Sequence, residues 1–251
     1  MGSLDLCKVL NGVGVFSDDV VMIHGDAGVA AQFLSVQRDE QLNHLMNEIV
    51  EFSGTEGTVV VPTYSYSFTK QQDFHVRNTP GDVGLFSEAF RKLSIALRSK
   101  NPNFSVASIG KYARDFQEAR IDDAFGAGTA FDLLHKFNAK IVCLGCEFDR
   151  ITLVHYLEQS LNVSYRYFKT FSGKILDDEG SQSVDTTYFV KDLNLNAAVD
   201  LRLLKERGID RGLVRVDTFG RFPVFSVSVD DFCAIGSELL SENPYALIQQ
   251  T

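Results

Sequence analysis

Three short runs of uninterrupted aliphatic and β-branched residues, at 20–24, 58–61 and 141–145, constrain this chain more than any other feature. A strand that is apolar at consecutive positions has no polar face to give to water, so it must be covered on both sides. Amphipathic patterns stand between and after these runs. Leu42, Leu45, Met46, Ile49 and Val50 recur at helical spacing, and residues 39–52, 86–93, 129–137, 195–207 and 231–240 read as helices. Buried strands alternating with amphipathic helices predict a three-layer α/β/α sandwich on a mixed, largely parallel sheet. The 251 residues, 45% of them hydrophobic, suffice for one substantial core, so residues 1–251 are expected to form a single domain.

Two regions depart from this rhythm. Residues 64–84 are rich in Ser, Asn, Gln and Thr without a period, which predicts a functional loop that is mobile in the absence of ligand. Residues 169–185 carry turn signals at Ser172-Gly173-Lys174 and at 177–180, which predict short strands joined by turns.

Charge and targeting signals narrow the functional classes. Asp and Glu outnumber Lys and Arg by 33 to 24, the net charge is −9, and no window holds the dense basic cluster that a phosphate-backbone reader needs; nucleic acid is not an expected partner. The first ten residues lack a charged segment followed by a long apolar one, and no stretch approaches the ~18 apolar residues of a spanning helix. A cytoplasmic protein without a membrane partner is expected. Met1-Gly2-Ser3 begins like a myristoylation signal, but Leu6 stands where a hydroxyl residue is needed. Four cysteines fit free thiols in a reducing compartment, and no metal site is expected. Cys143 and Cys146 form a C-x-x-C, but Cys7 and Cys233 are isolated and supply no second pair for zinc; core cysteines are the better reading.

The segment 144–158 is the most informative. An apolar strand ends at Gly145, a polar loop follows, and a helix opens near Thr152 with His155 and Glu158 three apart on one face. A carboxylate beside an imidazole can fix its tautomer and stabilise the imidazolium formed in general-base catalysis. On spacing alone the same pair is also a common solvated contact, and both readings stay open at this point.

Context favours the first. Gly57-Thr58-Val59-Val60-Val61-Pro62-Thr63, then Gly84-Leu85-Phe86-Ser87-Glu88-Ala89-Phe90-Arg91, then Arg98-Ser99 through Pro102, Ser105, Ala107 and Gly110, then Phe125-Gly126, and finally Leu144-Gly145 with Thr152, His155 and Glu158, together resemble the aminoglycoside 3-N-acetyltransferase family. The resemblance spans about residues 20–166. It implies transfer of an acyl group from acyl-CoA, by default acetyl-CoA, to the amine of a sugar. It places the general base at His155, with Thr152 and Glu158 in the same T-x-x-H-x-x-E element, and suggests a further acid near the base, for which Asp192 is the candidate. An N-cap or loop acid is an equal reading of Asp192. Donor-side elements fall on His24, Gly25, Asp26, Ala27 and Gly28 and on Arg98, Ser99, Ser105 and Ala107. His24 either approaches a ligand or caps the turn that it opens. Thr63, Tyr64, Tyr66, Asp73, Arg77 and Thr152 are candidate substrate contacts, and Ser105, Thr63 and the amides of 25–28 candidate oxyanion donors.

The sequence departs from the family where His24-Gly25-Asp26-Ala27-Gly28 follows the first strand, and where Asn101 replaces the His of R-S-x-H-P-x-x-S. These departures predict a biosynthetic relative acting on a nucleotide-linked deoxyamino sugar for surface polysaccharide. The alternatives are an aminoglycoside-modifying resistance enzyme and, outside catalysis, an inactive sugar-binding protein of the same fold. Aromatic and cationic contacts would favour a nucleotide-linked acceptor, whereas a cluster of carboxylates would favour an aminoglycoside.

Overall fold

The computed structural model describes residues 5–192 and 198–249. The strands are β1 (Val20–Gly25), β2 (Thr58–Pro62), β3 (Phe74–His75), β4 (Leu97–Arg98), β5 (Val106–Gly110), β6 (Lys140–Leu144), β7 (Arg166–Asp177), β8 (Gly180–Lys191), β9 (Arg215–Phe219) and β10 (Phe222–Ser228). The helices are α1 (Leu6–Gly12), α2 (Gln41–Ser53), α3 (Leu85–Arg91), α4 (Ala113–Gln117), α5 (Ala130–Lys136), α6 (Leu153–Ser160), α7 (Arg202–Asp210) and α8 (Val229–Glu242).

Seven strands form the main sheet in the order β4-β5-β2-β1-β6-β10-β9. The central trio β2-β1-β6 is parallel, with Met22 opposite both Val60 and Ile141. Outside the trio every pairing is antiparallel. Because β5 and β10 each reverse direction and β4 and β9 reverse it again, five of the seven strands run one way. The three aliphatic runs are the central strands, buried on both faces as their composition demands. Val21, Ile23, Val59, Val61, Val142 and Leu144 pack beneath α1, α2 and α3. Val20, Met22, Val60, Ile141 and Cys143 point the other way, toward residues of α4 to α8. This alternation makes the three layers.

Local chemistry sets the helix boundaries. Ser228 caps α8 by accepting from the Asp231 amide, with Asp230 and Asp231 in the first turn, and Thr129 caps α5 in the same way. Near residues 195–207 the helix begins only at Arg202, where Asp200 accepts from the Arg202 amide; the expected start at 195 lies outside the described residues. No described helix is long and apolar enough to cross a membrane.

The two irregular regions form one subsidiary unit. Residues 166–191 are a single hairpin of two twelve-residue strands, paired from Arg166–Lys191 to Asp177–Gly180, and not a set of short strands. Gly173 sits within β7 and is no turn; the Phe68 ring covers it so closely that a Cβ would lie 2.6 Å from a ring carbon. Residues 64–84, expected to be mobile, are braced against this hairpin. Phe68 and Phe74 bury with Ile175 of β7, and β3 pairs with β7 in a second, three-stranded sheet. Asn103 Oδ1 accepts from the Phe68 and Thr69 amides. Within the loop Ser65 and Ser67 are buried, their hydroxyls 2.9 Å apart, and Ser65 donates to Pro102 O at 3.0 Å.

Arg98 is the main brace. It is 6% exposed, lies over the Phe74 ring, and donates to Thr63 O at 2.7 Å, Val76 O at 3.1 Å, Thr79 O, Ser105 Oγ at 3.1 Å and Thr63 Oγ1 at 3.3 Å. Replacing Arg98 with Met should leave several of these buried acceptors unpaired and lower the stability by about 3 kcal/mol in urea denaturation.

Candidate active site

The carboxyl ends of β1, β2 and β6 open into a cleft of about 840 Å³, at the position where parallel strands of an α/β sheet place their ligands. Residues 24–28 after β1, Tyr64 and Tyr66 after β2, and Cys146, Asp149, Arg150, Thr152 and His155 after β6 all line it. Gly145 makes the last connection feasible. Its φ of +77° turns the chain out of β6, and a Cβ there would lie 2.3 Å from Val29 Cγ2.

His155 stands in the first turn of α6, and Glu158 follows one turn later on the same face. Nδ1 of His155 lies 2.7 Å from Glu158 Oε2. Glu158 is fully buried, while the His155 side chain keeps 17% exposure toward the cleft. An anionic oxygen this close to a ring nitrogen requires a proton between them, so Nδ1 carries the hydrogen and Nε2 retains the lone pair. Phe125 presents its ring edge-on to the imidazole at 5.5 Å and limits its rotation.

A third charge completes the group. Arg166, at the start of β7, has a side chain only 3% exposed, with Nε 2.7 Å from Glu158 Oε2 and Nη2 3.0 Å from His155 Nδ1. Its Nη1 donates to Phe189 O of β8 at 3.1 Å. Burial holds the His155 pKa below 6.5; the Glu158 hydrogen bond opposes this and the Arg166 charge reinforces it. The positive end of α6 acts in the same direction. Burial acts to raise the Glu158 pKa, but the hydrogen bond from His155 and the charge of Arg166 bring it below its usual value. The resting state is therefore a neutral imidazole beside a carboxylate and a guanidinium, able to accept a proton at Nε2.

His24, 7% exposed at the end of β1, has its pKa lowered to about 4 by burial, so it stays neutral across the physiological range. Its Nε2 is buried on the cleft side of the sheet without a hydrogen-bond partner, and the Tyr64 hydroxyl is buried beside Thr152. Three carboxylates line the cleft. Asp26 accepts from the Gly28 amide at 2.7 Å, Asp82 pairs with Lys70, and Asp149 accepts from the Leu201 amide at 2.6 Å. Arg150 is the guanidinium among the lining residues.

The expected site residues thus divide. His24, Gly25, Asp26, Ala27, Gly28, Tyr64, Tyr66, Thr152 and His155 come together around one cleft, with Glu158 beneath it. Arg98, expected on the donor, is spent on backbone carbonyls. Ser99 accepts from the Val106 amide, and Ala107 is buried within β5. Thr63 and Ser105, expected as oxyanion donors, are buried and bonded to each other's carbonyls at 3.0 and 2.8 Å. Asp73 caps the Lys174 amide on the hairpin, and Arg77 pairs with Asp178 at the exposed surface. Asp192 follows β8 with its amide bonded to Tyr165 O, while the carboxylate on His155 is Glu158. Asn101 is a buried turn former, accepting from the Asn103 and Phe104 amides and donating to Asp123 O, and it does not line the cleft. Arg166 was not anticipated. Eight residues beyond Glu158, at the head of a strand followed by exposed Tyr167 and Phe168, it carries no local pattern pointing to the base.

Cys143 is buried in β6, and Cys146 donates its thiol to His24 O at 3.2 Å. Among the described residues no group of His, Cys, Asp and Glu side chains is placed to hold a metal ion.

Comparison with known proteins bears on this geometry. The profile of the aminoglycoside 3-N-acetyltransferase family matches residues 30–241. Aminoglycoside N(3)-acetyltransferase III of Serratia marcescens is 21% identical over 182 residues, an alignment covering 68% of this chain and 66%, just under two thirds, of that relative. The structure of AAC-IIIb in a binary complex with CoASH superposes with a TM-score of 0.78 at 19% identity, over 98% of this chain and 97% of the other. YokD from Bacillus subtilis superposes with a TM-score of 0.73 at 15% identity, over 95% and 93% of the two chains. At such identities the superpositions establish the shared fold, and the profile match over most of the sequence makes this chain a member of the aminoglycoside 3-N-acetyltransferase family.

Proposed function

We propose that this protein transfers an acetyl group from acetyl-CoA to a ring amine of an aminoglycoside, with His155 as general base. The observation that carries the reading is the His155–Glu158 contact, which leaves a neutral Nε2 facing a cleft lined by Asp26, Asp82 and Asp149. Aminoglycosides are polycations, and a lining of Asp26, Asp149 and the Lys70-paired Asp82 against the guanidinium of Arg150 suits a polycation better than a phosphate-bearing acceptor. The expected phosphate contact, Arg77, lies outside the cleft. Of the two departures from the family pattern, at residues 24–28 and at Asn101, the second lies in a buried turn away from the cleft. Relatives support the same choice, since AAC(3)-IVa has been crystallised with apramycin and with a gentamicin.

The acceptor ammonium first loses a proton to solvent. As its nitrogen attacks the thioester carbonyl, the new C–N bond forms, Nε2 of His155 takes the remaining excess proton, and the C–S bond breaks to release the thiolate of coenzyme A. Glu158 stabilises the imidazolium through Nδ1, as the orienting acid of a catalytic triad does. The thioester donor and the acceptor enter by the 24–28 turn and the Tyr64–Tyr66 wall respectively.

Replacing His155 with Ala should lower kcat about 100-fold or more while leaving acetyl-CoA affinity nearly unchanged, because the proton transfer matters in the transition state and not for donor binding. Glu158→Gln should cost less. A thiol-release assay with aminoglycosides and nucleotide-linked amino sugars in parallel checks both the base and the acceptor class; near-native turnover by the Ala variant overturns the mechanism, and preference for nucleotide-linked sugars overturns the acceptor.

The pH profile follows from the sign of the shift. Since His155 must be neutral to work and its pKa lies below 6.5, kcat/KM should hold steady through neutral pH as far as base ionisation is concerned. It should fall only in more acidic solution, as the imidazole becomes protonated. A rate measured from pH 5 to 8 with saturating donor checks this.

A further inference from the structure

Arg166 begins a strand whose next residues face solvent, yet its guanidinium turns inward and is almost completely buried. It is clamped from both strands of the hairpin, since the residue belongs to β7 and its Nη1 donates to Phe189 O of β8. Its other nitrogens meet the catalytic pair, with Nε 2.7 Å from Glu158 Oε2 and Nη2 3.0 Å from His155 Nδ1. This arrangement answers a conflict inherent in a buried carboxylate–imidazole dyad. A buried anion with histidine as its sole partner favours the imidazolium, because the ion pair is cheaper than an isolated charge, and a base already protonated is useless. A permanent cation on the same oxygen removes that incentive. Since Nδ1 already carries the hydrogen given to Glu158, Nη2 cannot donate to it, and the nearby guanidinium makes a second ring proton costly.

We propose that Arg166 is a positioning residue for the base: it neutralises Glu158, so that the carboxylate orients the imidazole without drawing a second proton onto it. The β7–β8 hairpin is then the element that delivers this charge to the site. Other polar groups near the pair are Tyr165 and Tyr188, whose phenols border Glu158 and Arg166, Asp192 just past β8, and, on the cleft side, Asp149, Arg150, Thr152 and Tyr64. All of them remain in an Arg166 variant, so a change in the ring's titration on substitution reports on the guanidinium.

The inference rests on His155 being the base, but its main test needs no turnover. Imidazole NMR titration of the full-length protein, with the His155 signal assigned by its loss in His155→Ala, reads the ring directly. In Arg166→Gln the midpoint should rise by about one pH unit or more, and in Arg166→Lys, which keeps a cation, it should return most of the way. A purely structural brace would reduce stability and leave the midpoint in place; a shift under about 0.3 unit in folded Arg166→Gln, small beside the ~1 unit expected from removing an adjacent charge, overturns the proposal. Should that variant not fold, Glu158→Gln gives the converse measurement. With the guanidinium kept and the carboxylate gone, the midpoint should fall below that of the unaltered protein, and an unchanged or higher value overturns the proposal. The acid limb of acetyl transfer should move with the titration. A midpoint that shifts as expected in a protein that acetylates no aminoglycoside would leave the role of Arg166 intact and reject the functional reading alone.

Discussion

The carboxylate of Glu158 has no exposed surface, and the arrangement of the site follows from how that charge is accommodated. An isolated carboxylate in a protein interior costs several kcal/mol and would normally be avoided by taking up a proton. Here it remains ionised because His155 and Arg166 approach the same oxygen at 2.7 Å from two different elements. One partner comes from the helix that follows the central strand and the other from the hairpin, so the charge group ties the three-layer sandwich to its subsidiary sheet. The hairpin in turn supports residues 64–84 through Phe68, Phe74 and Ile175, which places Tyr64 and Tyr66 at the cleft wall.

What could be read from the sequence follows the range of the interaction concerned. The central strands were legible because burial on both faces leaves a continuous aliphatic run, and α2, α3, α5 and α8 because one face of each packs on the sheet. The His155–Glu158 pair was legible because a helix brings positions three apart together. Arg166 was not, since its partners lie across a strand and a helix and its flanking residues suggest solvent. The antiparallel pair β9 and β10 was also missed. Residues 215–218 are exposed along an edge strand, and without an apolar face they carry little pattern.

The burial of Arg98 and of polar residues in and around 64–84 has one cause. Polar residues in an aperiodic stretch were read as facing solvent or ligand, whereas Ser65, Ser67, Arg98, Asn101 and Asn103 are buried. Irregular backbone in a protein interior must find hydrogen-bond partners that a helix or sheet would supply by itself, and these side chains supply them. A buried polar cluster and a polar binding loop therefore look alike in sequence. Tracing donors to acceptors distinguishes individual residues: Arg98 ends largely on main-chain oxygens, while His24 leaves Nε2 buried beside the cleft without a partner.

The electrostatics of the site combine two demands that oppose each other. An acidic lining attracts cations such as the polycationic acceptor proposed above, but nearby carboxylates also favour protonation of any histidine among them, which would disable the proposed general base. The fold separates the two effects by depth. Asp26, Asp82 and Asp149 line the open cleft, where solvent screens them, while the ring of His155 is recessed between Phe125, Glu158 and Arg166. At that depth burial and the adjacent Arg166 charge both disfavour the imidazolium, and interactions with the adjacent charge strengthen as water is excluded. The cleft can therefore be negative to an approaching cation while the imidazole stays unprotonated, chiefly because burial disfavours its charged form, with the guanidinium brought in from outside the parallel sheet adding to that effect.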